Sequence, residues 1–289
     1  MTLGIWLDTW LQLYVDKSGL APSSMACYHR AVAAVPQRLA AIPLIDLSTL
    51  DLLPWILEIA AVHPRAAQLD RTMLSRSLRI ARKLGLCGPH LVLDADTLPK
   101  PPHKAAKAVI LQGDDLRTYI RLAKDTDCFP LLMLCLCGLR RGEALGARWA
   151  DLDGNVLHVQ RQRMRCRCTY VSRRLKSDSS DRQLMLPNVL LDVFAYWPRT
   201  ITGWIVDTTP EHLQSVHSRI IMRGGLPHCT LHGLRHSFAA LAAQQGLSIK
   251  LLQGALGHSK MELTADLYAD HLSPLSSLPS LVWTAFQAI

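Results

Sequence analysis

Between residues 94 and 107 the chain reads Asp-Ala-Asp-Thr-Leu-Pro-Lys-Pro-Pro-His-Lys-Ala-Ala-Lys, a stretch rich in proline and lysine with no apolar period. A segment of this kind has no face to bury, so it reads as an extended linker and divides the chain into two folding units. Both flanks are mainly helical in period. From Leu3 to about Leu91 apolar residues recur three and four apart, as in Ile5-Trp6/Trp10/Leu13 and Leu50-Leu53/Ile56-Leu57, without strand alternation. Proline stops at Pro22, Pro36, Pro43 and Pro64 predict four or so short helices, with Pro22-Ser23-Ser24 as the N-cap of a helix running through Tyr28 to Val35. Beyond the linker the pattern predicts a helix near Gly113 to Ala123, a buried helix ending at Leu136 and a turn at Gly138. Strand character appears in Val156 to Val159 and Gln183 to Leu186, and helices return after Thr230. The expected fold class is mainly α with a small β-sheet or hairpin in the second unit (α+β).

Composition narrows the function classes. With 289 residues, 49% of them hydrophobic, the chain can bury one or two sizeable cores. The longest apolar run, Pro130 to Leu139, is far shorter than the roughly 20 residues of a membrane span, so no membrane association is expected. Asp8 interrupts the apolar opening and no positive charge precedes it, which argues against export. Eight cysteines spread over a chain of this size fit a reducing cytoplasm better than a disulfide framework. The pairs Cys135/Cys137 and Cys166/Cys168 lack the spacing of common zinc sites, so no metal is expected. The formal net charge of +9 favours a polyanionic partner such as nucleic acid.

The positive charge is patterned. In the predicted helix from about Arg65 to Leu84, Arg76, Arg79 and Lys83 share a face that can lie along DNA. Such a stripe suits a solvated helix surface equally well, and only the second unit tips the reading. There, residues 161 to 182 hold eight basic side chains, Arg173 and Arg174 among them, against two acidic ones. This β-ribbon reads as a DNA contact.

Nearer the C-terminus, the apolar stripe Leu231/Leu234/Phe238/Leu241 leaves His232, Arg235 and His236 on an adjoining helix face, directed at one ligand. Ser248 is the expected N-cap of a further helix and Gly257 its terminating glycine, which sets His258 on a turn, ten residues before Tyr268. Gly138-Leu139-Arg140 lies about a hundred residues upstream. A tyrosine with two arginines and two histidines supplies what phosphodiester exchange requires: a nucleophile, proton-transfer groups and cations for the non-bridging oxygens. Glu143, three residues after Arg140, reads as an acceptor that orients a basic side chain.

These residues resemble four sequence blocks of the tyrosine recombinases, or phage-type integrases. CGLRRGEALGARWADLD (137 to 153) is similar to the block of the first catalytic arginine, at Arg140. LKSDSSDRQLMLP (175 to 187) resembles the β-hairpin block, with Lys176 on the catalytic lysine. LHGLRHSFAALAAQQG (231 to 246) resembles the His-x-x-Arg block, and LGHSKMELTADLYADH (256 to 271) the block of the final histidine and the nucleophilic tyrosine. All four stand in the family's order.

The resemblance implies a helical core-binding (SAM-like) domain over 1–93, a linker over 94–108 and a catalytic domain over 109–289. It implies that Arg140 and Arg235 clamp the scissile phosphate and that Tyr268 attacks it to give a 3′-phosphotyrosyl link. Lys176 then protonates the leaving 5′-oxygen, His232 handles the tyrosine proton and His258 donates a hydrogen bond to the phosphate, with no cofactor. The implied partners are double-stranded recombination sites, a homotetramer on synapsed DNA formed from free monomers or dimers, and an accessory directionality factor. A chain that opens directly in the core-binding region is expected to have no arm-binding domain. The apolar tail after His271 either packs on a neighbouring subunit, as in the family, or folds back on its own domain. Integration or excision of a mobile element leads. Dimer resolution of the Xer type, a tyrosine-nucleophile topoisomerase and a non-catalytic DNA-binding derivative are the alternatives.

Overall fold

The structure, a computed structural model, describes residues 1–93, 108–166, 169–174, 182–244 and 246–248, together with 252, 254 and 256; for residues 23, 165, 166 and 169–174 it describes the backbone only. The chain divides into two compact units, Met1–Ala106 and Lys107–Ile289. It is mainly helical with a small antiparallel sheet.

Among its described residues the first unit holds five helices: α1 (Leu3–Trp10), continued by a π turn (Leu11–Val15), α2 (Pro22–Ala33), α3 (Gln37–Ala40), α4 (Thr49–Val62) and α5 (Pro64–Lys83). Leu3, Trp6, Leu7 and Trp10 pack with Leu52, Trp55, Ile56, Met73, Leu74 and Leu78 into one core. Helix α2 begins at Pro22 itself, with Ala21 as its N-cap, and not after a Pro-Ser-Ser cap. The ring's fixed φ and missing N–H suit the first helical position, which displaces the serines into the first turn. Ser48 caps α4, its N–H and Oγ both donating to Asp51 Oδ2 at 2.8 and 2.7 Å.

In the second unit, α7 (Phe129–Leu136) is buried along its whole length, as a helix apolar all round must be. Helices α6 (Gly113–Lys124), α8 (Arg141–Leu145), α9 (Asn188–Tyr196) and α11 (Leu231–Gln244) contact it, while α10 (Pro210–Arg223) joins the same core through α6 and α8. Strands β1 (Leu152–Asp153), β2 (Val156–Val159) and β5 (Arg182–Met185) form an antiparallel sheet in the order β1-β2-β5, with Leu157 opposite Leu184 and Val159 opposite Arg182. Leu157, Val159 and Leu184 turn into the core.

The basic excursion forms its own hairpin, β3 (Arg161–Cys166) with β4 (Thr169–Arg174), in which Arg161 pairs with Arg174 and Cys166 with Thr169. Strand β3 lies on α8 because Gly146 has no side chain: a Cβ there would stand 3.0 Å from Arg161 O and from Gln162 Cα. Two hairpin arginines are anchored to the domain. Arg161 Nη1 donates to Asp151 Oδ1 and Oδ2 at 2.7 and 2.6 Å, and Arg163 Nη1 to Asp207 Oδ1 at 2.8 Å. Arg163 also faces the Trp204 ring at 5.2 Å, as does Arg148 at 4.2 Å. Among the eight basic side chains in residues 161–182, these two therefore have carboxylate partners within the domain. Among the described residues, no helix is long and apolar enough to cross a membrane.

Candidate active site

Helix α7 ends in a Schellman turn. Gly138 N–H donates to Cys135 O at 3.0 Å and Leu139 N–H to Leu134 O at 3.1 Å, with Gly138 at φ +97°. A Cβ on Gly138 would meet the Phe238 ring at 3.0 Å, so both the backbone and the space require glycine. The turn reverses the chain and delivers Arg140 as the N-cap of α8.

Glu143 organises the arginines around this turn. Its carboxylate is buried, and its Oε2 accepts from Arg140 N–H and Arg182 Nη2, both at 2.9 Å, while Oε1 accepts from Arg140 Nη1 at 2.6 Å. Arg235 Nη1 lies 3.9 Å from the same Oε2. Burial pushes the Glu143 carboxyl upward, but the hydrogen bond and charge of Arg182, then those of Arg140, outweigh it and hold the group below its ordinary range. One carboxylate thus hydrogen-bonds two guanidiniums and lies beside a third.

The arginines differ in what they present. The Arg140 side chain is 36% exposed, whereas that of Arg235 is 1% exposed. On the face adjoining the apolar stripe of α11, the Arg235 side chain turns inward. It lies among the buried residues, with Nη1 donating to Gly138 O at 2.7 Å and Nη2 to Leu256 O at 2.6 Å. These two carbonyls, just past the end of α7 and at Leu256, draw the guanidinium inward.

His232 keeps an exposed edge on α11 and meets His236 edge to face, with ring centroids 4.5 Å apart. Partial burial, then the charges of Arg235 and Arg140, lower the His232 pKa against the opposing pull of Glu143. Burial, His232 and Arg235 lower that of His236 to about 4. Both rings are therefore neutral at neutral pH, and His232 can accept a proton.

The helix is tied down at its start. Ser237 Oγ accepts from Leu111 N–H at 2.8 Å and donates to Gly233 O at 2.9 Å. Buried His217 bridges Tyr119 OH (2.8 Å from Nδ1) and Cys229 O (2.9 Å from Nε2) just before α11 begins.

Arg140, His232 and Arg235 are thus brought together. Lys176, His258 and Tyr268 lie outside the described residues, as do the side chains of Arg173 and Arg174. In the first unit Arg76, Arg79 and Lys83 are exposed on α5, with Arg76 donating to Tyr28 OH and facing its ring. Sequence reasoning does not single out Arg182 as a site residue; the available signal is a lone basic residue opening an apolar strand. Away from this cluster, ligand-type atoms of Asp127, Cys128 and His212 lie within 4.8 Å of one another. His212 Nε2 is 2.8 Å from Asp127 Oδ2, and the Cys128 thiol is pushed up to about 12 chiefly by burial.

On this mainly helical domain a buried acid thus gathers arginines beside a neutral histidine. Residues 110–273, more than half of the chain, match the model of the phage integrase family, and the chain belongs to that family. It is 25% identical over 225 residues to prophage integrase IntF of Escherichia coli (strain K12), covering 72% of this chain and 45% of that protein. It is 31% identical over 180 residues to tyrosine recombinase XerC of Bradyrhizobium diazoefficiens, covering 59% of this chain and 54% of that protein. The chain spans about half the length of these curated relatives. Among solved structures, the Tn1549 transposon integrase in complex with transposon right end DNA superposes with a TM-score of 0.77 at 19% identity, covering 94% of this chain and 96% of that one. A lambda integrase dimer bound to a COC' core site gives 0.73 at 17% identity, covering 96% and 99%. At these identities the structural likeness is one of fold.

Proposed function

We propose that the protein is a site-specific DNA recombinase that breaks and rejoins strands through a 3′-phosphotyrosyl intermediate in the integration or excision of a mobile element. The observation that carries this reading is the buried Glu143 carboxylate, which holds Arg140 and Arg182 and lies beside Arg235 with neutral His232 close by. Guanidiniums fixed in advance stabilise the charge of a pentacoordinate phosphorus without reorganising.

In this reading Tyr268 Oη attacks the scissile phosphorus, the bond to the 5′-oxygen breaks, and the tyrosine proton passes to His232. Lys176 gives a proton to the departing 5′-oxygen and His258 donates a hydrogen bond to a non-bridging oxygen. The bond energy is kept in the phosphotyrosyl link, and the reverse attack by a 5′-hydroxyl restores the chain, so the exchange needs neither ATP nor a metal.

The partner is a double-stranded recombination site. Residues 1–93 are assigned to core-binding, 94–108 to the linker and 109–289 to catalysis, with Arg76, Arg79, Lys83, Arg173 and Arg174 on phosphates. Lambda integrase is seen as a tetramer bound to a Holliday junction, which supports a homotetramer here on synapsed DNA. An accessory factor setting direction, and action in the cytoplasm on the nucleoid, complete the proposal.

The test is covalent trapping on a duplex with a nick near the scissile phosphate, so that the short 5′-hydroxyl strand diffuses away. Wild-type protein should form a denaturant-resistant adduct and Tyr268→Phe none. An adduct with the phenylalanine variant would show that another residue is the nucleophile.

A further inference from the structure

We propose that Arg182 is a positioning residue of the phosphate site, acting through Glu143 to set the guanidinium of Arg140. The inference rests on the recombinase reading above and adds to it a residue outside the six assigned there. Arg182 opens β5, and its backbone is held opposite Val159 in the sheet. Its side chain is 6% exposed and reaches across to Glu143 Oε2 at 2.9 Å, spanning 39 residues of sequence. Arg140 engages both carboxylate oxygens, N–H on Oε2 and Nη1 on Oε1, but from the same helical turn, so the two can shift together relative to the rest of the domain. Arg182 anchors the carboxylate from a different element, so the plane that receives Arg140 Nη1 is set by the sheet.

The charge balance supports the same role. Glu143 faces Arg140 from its own turn, Arg182 from β5, Arg235 and His232 from α11, and the buried thiol of Cys135 from α7. Of the groups that favour its ionised form, Arg182 contributes most. Removing it leaves burial opposed mainly by Arg140. A protonated Glu143 then loses its hold on the guanidinium that faces solvent.

The test is a double-mutant cycle of adduct formation on the nicked duplex with wild type, Glu143→Gln, Arg182→Gln and the double variant. Arg182→Gln is expected to slow adduct formation about 100-fold, the scale of a misplaced catalytic group, while DNA affinity stays within about threefold. Its rate should also lose its acid limb at a higher pH than wild type. In the Glu143→Gln background the same substitution should add less than about threefold, because its route to Arg140 is already cut. Arg182→Lys, which keeps the charge but not the fork, should recover part of the rate. Losses that multiply in the double variant, or an Arg182→Gln enzyme with wild-type rate and acid limb, would overturn the proposal. If Arg182→Gln fails to fold, the double variant set against Glu143→Gln still decides, since it leaves neither member of the Arg182–Glu143 pair charged and buried without the other. If wild type forms no adduct, the recombinase reading falls, and the Arg140 Nη1–H resonance, from the bond to Glu143 Oε1, decides the positioning role. That signal should be protected from exchange in wild type and lose protection in Arg182→Gln, which keeps Glu143; equal protection in both overturns it.

Discussion

Arg182 Nη2 lies 2.9 Å from Glu143 Oε2, and each of the two side chains is less than a tenth exposed. The pair joins the opening of β5 to the first turn of α8. Breaking a buried pair by removing one partner costs about 3 to 5 kcal/mol, because the other charge is left uncompensated. Glu143→Ala strands a guanidinium on each side and should lower unfolding stability by about that amount, read as a shift of the urea midpoint. A loss below about 1 kcal/mol would mean that water replaces the carboxylate and that the pair is not structural.

Gly138→Ala should destabilise the second unit and also slow DNA cleavage. At φ +97° an alanine pays for a left-handed backbone, and its methyl would stand 3.0 Å from the Phe238 ring. The backbone alone costs about 1 to 3 kcal/mol. Because Gly138 O receives Arg235 Nη1, the shift also reaches the phosphate site. Thermal unfolding and adduct assays on one preparation test both effects, and an alanine variant with wild-type melting would refute the packing argument.

The two neighbouring histidines set an acid limit on stability. His236 titrates near 4 in the folded chain against 6.5 unfolded, and His232 is lowered in the same direction. The folded state therefore binds fewer protons than the unfolded one across this interval. The contribution is fully present above pH 6.5 and is lost as pH falls towards 4. The depressed Glu143 carboxyl adds its own loss only below its ordinary value of 4.5. Melting temperature should thus fall from pH 7 to pH 5, less steeply in His236→Gln. Parallel curves for the two proteins would exclude His236 as the source.

Charge on α5 and charge on β3 should behave differently on substitution. Arg79→Gln and Lys83→Gln remove exposed cations and, if that face meets phosphates, each should reduce the slope of log affinity against log salt by about 1. Arg163→Gln removes a side chain engaged by Asp207 and Trp204. It should lower melting temperature while leaving the salt slope within error of wild type. Fluorescence anisotropy at four salt concentrations separates the cases.

Much of this arrangement is legible in the residues. The helical periods of the first unit, the buried helix ending at Leu136, the turn at Gly138 and the paired strands near Val156 and Leu184 are all local signals, and local signals survive being read without a partner. The i to i+3 spacing of Arg140 and Glu143 also announces that the acid orients a basic side chain. The inward course of Arg235 is not legible. Helix period places it beside the apolar stripe, and only the carbonyls of Gly138 and Leu256, 97 and 21 residues away, show where its donors go. The start of α2 lies a residue or two from the expected cap because Pro22 is itself a first-turn residue.

By itself the sequence determined the helix and strand periods, the proline-rich divide at residues 94–107 and the order of four blocks bearing arginines, histidines and a tyrosine. Those properties depend on residue type and short spacing. The tertiary structure alone decided which of many arginines are anchored and which face solvent. Arg161 meets Asp151, Arg163 meets Asp207 and Arg182 meets Glu143 across 10, 44 and 39 residues. A guanidinium has the same charge in each setting. Whether it anchors a hairpin or is presented to a ligand depends on which carboxylate the packing of α8, β3 and β5 brings within hydrogen-bond reach.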